Sequence, residues 1–493
     1  MIDRDVPIPA YYQLKQLIKE QIQKGRLQPG DKIPTEAELC ARYNLSRTPV
    51  RQALQELVFE GLLVRTPGRG TFVADTSPSE LSPASATTTL RAVLSDERWR
   101  EPLERAAELW NRDHPDSPIE LDFTLVALAG LRAYLVEAVG QGQAPDISLL
   151  DSVWVAEFAG RHYLQPLAEI DPARGSLRDK GFFPALVAAS RYSDTLYSVP
   201  ISADVSVIWY RRDWLAAEGL SPPATWEELL AVGRHFRQPA VRARYGLGPH
   251  PLVLVGGRRG GETTTYQLLP FLWAAGGDLI ADHRVVLDSP HSQRALAFLT
   301  SLVQAEKLAP LEVTDYSWDE AARIFAQGGA ALAIGGTYES FFIRSLAGWD
   351  DATFLDRIGF GPSPAAPGGR PAALVGGMSY VIYRQSQAPA QALALLDLVG
   401  RDEILGPFCL RTAHHPPRIA VARNLAQAGN GFLARAAPLL EIARARPAIP
   451  DFARVSEQFQ MLVEDCLTGR RDVAQAVPRA AEMIAAITGL PLG

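Results

Sequence analysis

Residues 75–89, DTSPSELSPASATTT, constrain the fold of this chain more than any other stretch. Ser, Thr, Pro and Ala dominate it and no apolar stripe runs through it, so neither a helix nor a strand there would have a face to bury. The chain must therefore fold as two bodies joined by an exposed connector. Charge separates the same two bodies. Residues 1–75 carry 11 Lys and Arg against 9 Asp and Glu, a net +2, whereas the remainder carries a net −8. Four of the six lysines fall in the first 32 residues, leaving only Lys180 and Lys307 beyond the connector. Two compositional regimes imply two kinds of partner.

The full chain has 493 residues, with room for about two to four domains. An apolar share of 47% and a charged share of 21% exclude wholesale disorder and a coiled rod. Cys40, Cys409 and Cys466 are too few and too scattered for a disulfide framework, and no metal-ligand spacing occurs. The longest apolar candidate, Leu121 to Gly140, is broken by Asp122, Arg132 and Glu137, so no membrane span is expected. The opening MIDRDVPIPAYYQLKQ has no apolar leader core, which points to a cytoplasmic protein.

In the first body, residues 10–24 set Tyr11, Leu14, Leu17, Ile18 and Ile22 at helical spacing. Thr35 and Glu38 form a capping-box pattern that opens a second helix running to about Tyr43. Asn44 suits a tight turn, because Asn tolerates left-handed backbone. Ser46 is a good N-cap for a third helix, in which Pro49 is tolerated in the first turn and Val50, Ala53, Leu54 and Leu57 form the buried stripe. That leaves Arg47, Arg51, Gln52 and Gln55 outward. LLVRTPGRGTFVA then reads as a β-hairpin turning at Pro67–Gly70. The layout is a winged helix-turn-helix, whose third helix can enter a major groove with Arg at its N-terminal end against guanine edges.

The strings PGDKIPTE and SRTPVRQAL, in register over residues 8–74, resemble the DNA-binding domain of the GntR family of bacterial transcription regulators. The resemblance implies DNA contacts from Glu36 at the start of the second helix, from Ser46, Arg47, Thr48 and Arg51 on the third, and from Arg69 and Gly70 on the wing. Ala37 stands where some members carry an Arg that also touches DNA, so an operator sequence does not transfer.

Beyond the connector, short apolar runs alternate with amphipathic stretches: LRAVLS, a helix from Trp99 to Asp113, PIELDFTLV, a helix from Gly130 to Gly140, PDISLLD, then SVWVAEFAG. This βαβαβ order argues a parallel sheet with helices on both faces, with ligands beyond the strand ends. About 400 residues without a second connector exceed one ordinary core, so two lobes sharing a crevice are expected. No GxSxG elbow, phosphate-gripping loop or paired Cys and His motif occurs. His414 and His415 are adjacent, and on an extended segment their side chains face opposite ways, which disfavours a shared metal.

PDISLLDSVWVAEFAGRHYLQPL, DTLYSVPISADVSVIWYRRDWLAAEGLSPPATWEELL, FAQGGAALAIGGTYES and VGGMSYVIYRQSQAPAQALALLDLV are similar, in order, to blocks of the extracellular solute-binding proteins of ABC sugar importers. The fold class implied is multidomain α/β, a small α+β winged helix-turn-helix followed by a two-lobed periplasmic-binding-protein-like α/β domain. Its expected division is a DNA-binding domain over 1–75, a linker over 76–89 and an effector over 90–493. Lobe one would span about 90–198 and 376–424, and lobe two 199–375 and 425–493, with crossings near Ser198–Pro200, Val375–Gly377 and Asn424.

The resemblance places ligand-lining residues at Asp96, Asp151, Ser152, Asp204, Trp273, Tyr338, Gly377 and Met378. Carboxylates accept from paired hydroxyls and aromatic faces cover sugar C–H faces, which suits a mono- or oligosaccharide. Asp96 and Asp151 also read as helix N-caps, and Trp273 also reads as core. The expectation is a homodimeric, sugar-responsive repressor of operator DNA, with no cofactor, no metal and no catalytic residues. Two alternatives stay open: a pyridoxal-phosphate-enzyme-like effector, for which Lys180 and Lys307 are the only candidate lysines, and a sugar-processing enzyme.

Overall fold

The computed structural model describes residues 10–59, 62–66, 70–74, 87–172, 181–428 and 431–493. Most of the expected linker, and Arg69 on the wing, lie outside the described residues. The chain divides into an N-terminal unit, Met1–Ala86 with Ala138–Gln143, and an effector unit, Thr87–Glu137 with Ala144–Gly493.

The N-terminal unit has helices Ala10–Gln23, Glu36–Tyr43 and Arg47–Phe59 and the antiparallel strands Leu63–Thr66 and Gly70–Val73. Local signals account for both ends of the second helix. The Thr35 side chain accepts from the Glu38 N–H while Glu38 accepts from the Thr35 N–H, and Asn44 ends the helix at φ 53° in left-handed geometry. Leu14 and Ile18 of the first helix pack on Val50, Ala53, Leu54 and Leu57 of the third, closed by Ile33, Leu39, Leu63 and Val73.

The effector unit has two sheets. The first orders its strands Ile119–Leu125, Thr88–Leu94, Ile147–Asp151, Met378–Ile382 and Ser198–Pro200. Its first three strands are parallel, as the βαβαβ alternation implies, and the first of them in sequence starts at Thr88, two residues ahead of the expected Leu90. Met378–Ile382 corrects the all-parallel expectation, because it runs antiparallel to both its neighbours. It arrives from the other lobe rather than through a crossover helix, so the connection that forces parallel pairing is missing.

The second sheet is built on Asp204–Arg211, which pairs antiparallel with Leu332–Gly336 on one edge and with Ile358–Gly361 and Ala373–Gly376 on the other. Side chains alternate across it: Ile208 enters the layer with the helices Trp226–Arg237, Glu262–Ala274 and Pro290–Gln304, whereas Val205, Val207 and Trp209 enter a layer with Phe325, Phe354 and Phe432. Phe183 and Leu186, placed by sequence in the first lobe, belong to that second layer.

Ile201–Ala203 and Gly377 carry the chain between the sheets side by side. The Ile201 N–H donates to the Met378 carbonyl at 2.8 Å and the Met378 N–H to the Ser202 hydroxyl at 3.1 Å. A third segment joins at His415, which exchanges two backbone hydrogen bonds with Ala203; Asn424 lies within the helix Ile419–Gln427 that follows.

Gly377 has φ +143°, and a Cβ there would sit 2.2 Å from the Ser202 carbonyl oxygen. Backbone strain and this clash together should make Gly377→Ala cost about 3 kcal/mol or more. Gly361→Ala is the control, since a Cβ there meets nothing within 4 Å. Urea denaturation should show a lowered midpoint for the first variant and a near-native one for the second; equal midpoints would remove Gly377 as a backbone constraint on the crossing.

Candidate functional sites

In the N-terminal unit, Ser46, Arg47 and Arg51 are exposed at the start of the third helix, where free amide groups face outward. Thr48 occupies the first turn of the same helix. Glu36 organises the basic side chains rather than standing alone. Its carboxylate takes Arg65 of the hairpin at 2.7 Å and Arg51 at 3.5 Å, with the Arg51 side chain still 60% exposed. Gly70, at φ +123°, lets the Lys32 side chain lie against the wing: a Cβ at that position would meet Lys32 Cε at 2.7 Å. Helix, wing base and the Lys32 strand thus present cations together.

In the effector unit, six of the eight expected ligand-lining residues converge on the crossing. Asp151 and Met378 are register partners, and the Ser152 N–H donates to the Gly377 carbonyl at 3.0 Å. Asp204 opens the central strand of the second sheet opposite Gly376. Tyr338 reaches the same region from the turn Thr337–Glu339, through residues that sequence reasoning missed. Its ring meets Tyr266 edge-on at 5.6 Å, and a Cβ on Gly336 would fall within 2.8 Å of both rings, so glycine is required there. Burial, followed by the charge of Asp204, pushes the Tyr266 phenol well above its usual range. Its hydroxyl is buried and has no hydrogen-bond partner among the described residues.

Arg446 completes the group. It is 8% exposed, bonds Glu262 at 2.7 Å, approaches Asp151 of the first lobe at 3.5 Å, and lies 5.9 Å from the Tyr266 ring. Asp204 is held by His414, with Oδ1 to Nδ1 at 3.0 Å, and the His414 ring lies 5.3 Å from Trp99. The two histidines do face apart, since the His415 ring packs against Phe432 instead.

Asp96 and Asp151 both serve as the N-caps that their positions suggested. Asp96 accepts from the Arg98 N–H at 3.0 Å and binds the Arg98 guanidinium; burial raises its carboxyl, but Arg98 outweighs this and holds it below the usual range. Asp151 accepts from the Val153 N–H at 3.0 Å. Trp273 does not join the group. It is 7% exposed in the second lobe's core, donating to Asp278 at 2.9 Å beneath the Arg444 guanidinium.

Glu339 sits behind the tyrosines, 2% exposed, accepting from the Gly336 N–H at 3.0 Å and Trp209 Nε1 at 2.9 Å. Burial pushes its carboxyl from 4.5 up to about 7, against those donors. The folded state therefore favours the neutral acid. Its stabilisation is fully present below pH 4.5 and is lost as pH rises through about 7. The loss amounts to about 3 kcal/mol. Glu339→Gln should remove that slope, leaving the variant more stable than the parent at pH 8 but not at pH 4.5. Parallel thermal-melt profiles for the two proteins would contradict a buried, neutral Glu339.

Residues 92–404 match the family model described as bacterial extracellular solute-binding protein, and residues 10–73 match bacterial regulatory proteins, gntR family. A probable ABC transporter-binding protein of Deinococcus radiodurans is 27% identical over 54% of this chain and 61% of its own length. The HTH-type transcriptional repressor NagR of Bacillus subtilis is 51% identical over 15% of this chain and 30% of its own length. This chain thus spans less than two thirds of either relative. The solved structure of maltose-bound MalE3 from T. maritima superposes with a TM-score of 0.67 at 26% identity, covering 81% of this chain and all of that one. Neither matching family is an enzyme family. No described helix is long and apolar enough to cross a membrane.

Proposed function

Because the chain belongs to the bacterial extracellular solute-binding protein family and carries a gntR-family head on the same polypeptide, we propose that it is a one-component transcription regulator. The head of each subunit in a homodimer binds one half of a palindromic operator through Ser46, Arg47, Thr48 and Arg51, with Glu36 orienting Arg51 and the wing residues Arg69 and Gly70 against the backbone. The protein acts in the cytoplasm as a repressor. A mono- or oligosaccharide binds between the lobes.

The observation that carries this reading is the group at the crossing. Asp151, Asp204, Tyr266, Tyr338 and Arg446 bring acceptors, a cation and aromatic faces to one junction, and the Tyr266 hydroxyl lacks a partner among the described residues. Buried polar groups without a partner are costly, so a hydroxyl-rich solute satisfies what the protein leaves open. The maltose named in the MalE3 structure supports the same class. Asp96 and Ser152 line the first-lobe side, with Gly377 and Met378 at the crossing and Trp273 acting through lobe packing. Closure about the crossing moves the segment that leads to the head.

Thermal denaturation of the full chain against sugars, with amino acids and polyamines as controls, tests the ligand class. A bound sugar at about 100-fold its Kd adds about 2.7 kcal/mol, a shift of several degrees. Stabilisation only by the controls would discard the carbohydrate assignment.

A further inference from the structure

Five basic side chains from four separate segments line one open cavity of about 520 Å³ on the second lobe. Arg234 and Arg237 end the helix Trp226–Arg237, Arg242 lies on Pro239–Tyr245, His250 precedes the strand Leu252–Val253, and Lys307 follows the helix Pro290–Gln304. This concentration stands out in a body of net charge −8, where Lys307 is one of two lysines.

Basic residues in the last turn of a helix complement its exposed carbonyls, and that accounts for Arg234 and Arg237. It does not account for Lys307 or His250, which come from other segments. Of these cations, Arg234 alone is paired with a carboxylate among the described residues. The Glu306 carboxylate is taken by Arg234 through two bonds of 2.8 and 2.6 Å, and its backbone carbonyl by Arg237 at 2.7 Å. Among the described residues, Arg237, Arg242 and Lys307 form no ion pair, and Arg242 Nε is buried without a hydrogen-bond partner. His250 is pinned by its Nδ1 on the Lys307 carbonyl at 3.1 Å, so Nδ1 carries the hydrogen and Nε2 remains for another partner.

We propose that this cavity is a second effector site, for a phosphoryl group. Guanidinium forks and an ammonium match the geometry and charge of phosphate oxygens. The volume accommodates a phosphorylated metabolite as well as the bare ion. The site shares no residue with the group at the lobe crossing and stands whether or not that group binds sugar.

The test uses the full chain with inorganic phosphate, glucose 6-phosphate, glucose, and sodium chloride at matched ionic strength. Inorganic phosphate and glucose 6-phosphate should raise the melting temperature by several degrees beyond the chloride control. A larger response to the ester identifies an organic phosphate as the natural class, and equal responses identify the free ion. Arg237→Gln combined with Lys307→Gln changes two exposed side chains and should weaken either response at least tenfold without moving the ligand-free melting temperature. Arg242→Gln provides an independent second variant with the same expected loss. No response beyond chloride, or an undiminished response in both variants, overturns the proposal. So does a variant that binds random duplex DNA less tightly while keeping its phosphate response, which would assign the patch to DNA.

Discussion

Arg51→Ala is expected to abolish specific operator binding while leaving the fold intact. Operator DNA can be recovered by selection of random duplexes on the parent protein, and affinity read by fluorescence anisotropy. A bidentate arginine contact to guanine discriminates by about 1–3 kcal/mol. The proposed dimer loses it twice, so affinity should fall by roughly 30-fold to beyond 10⁴-fold. The side chain is 60% exposed and its one ion pair among the described residues, with Glu36, is at 3.5 Å, so thermal stability should hardly change. Glu36→Gln should give a smaller loss, because it releases both Arg51 and Arg65 without deleting either. Retained binding in Arg51→Ala would mean that the third helix docks differently.

The second large effect is expected at Asp204. Its carboxylate lies at the lobe crossing, 7% exposed, with Oδ1 on His414. Hydrogen bonds to a charged group are worth about 1.5–3 kcal/mol each, so losing those to a pair of sugar hydroxyls should weaken ligand at least 100-fold. Asp204→Asn keeps an acceptor for His414 and separates ligand loss from damage to the crossing. Asp204→Ala and Asp204→Asn should both bind operator normally without ligand. Loss of both activities in Asp204→Asn would assign the residue to folding.

The head was legible because its signals are local. Thr35 and Glu38 announce a helix start three residues apart, Asn44 announces its stop, and the stripe Val50, Ala53, Leu54 and Leu57 is buried as its spacing demands. The first-lobe strands were legible for the same reason. What escaped is non-local. Met378–Ile382 pairs with Ile147–Asp151 from far along the chain, and nothing in its sequence states its direction.

Tyr266 and Trp273 show the limit within one element. The helix Glu262–Ala274 is buried at every residue from Thr264 onward, so no amphipathic stripe distinguishes the side facing the crossing from the side facing the core. The residue picked by its aromatic character proved to pack, and the one with the unpartnered hydroxyl gave no signal. Arg446 reads as one more arginine in RARPAIP; only the fold brings it to Asp151. His414 was visible as half of a pair, but its carboxylate partner lies on the distant strand Asp204–Arg211.

The proposed regulation requires coupling between the two units. The decisive measurement is the operator affinity of the full chain with and without a saturating sugar that stabilises it. Coupling of about 1–3 kcal/mol predicts a 5- to 150-fold change in Kd, and the same factor in sugar affinity when operator is bound. A sugar that binds and stabilises the chain yet leaves operator affinity unchanged, in both directions, would contradict it.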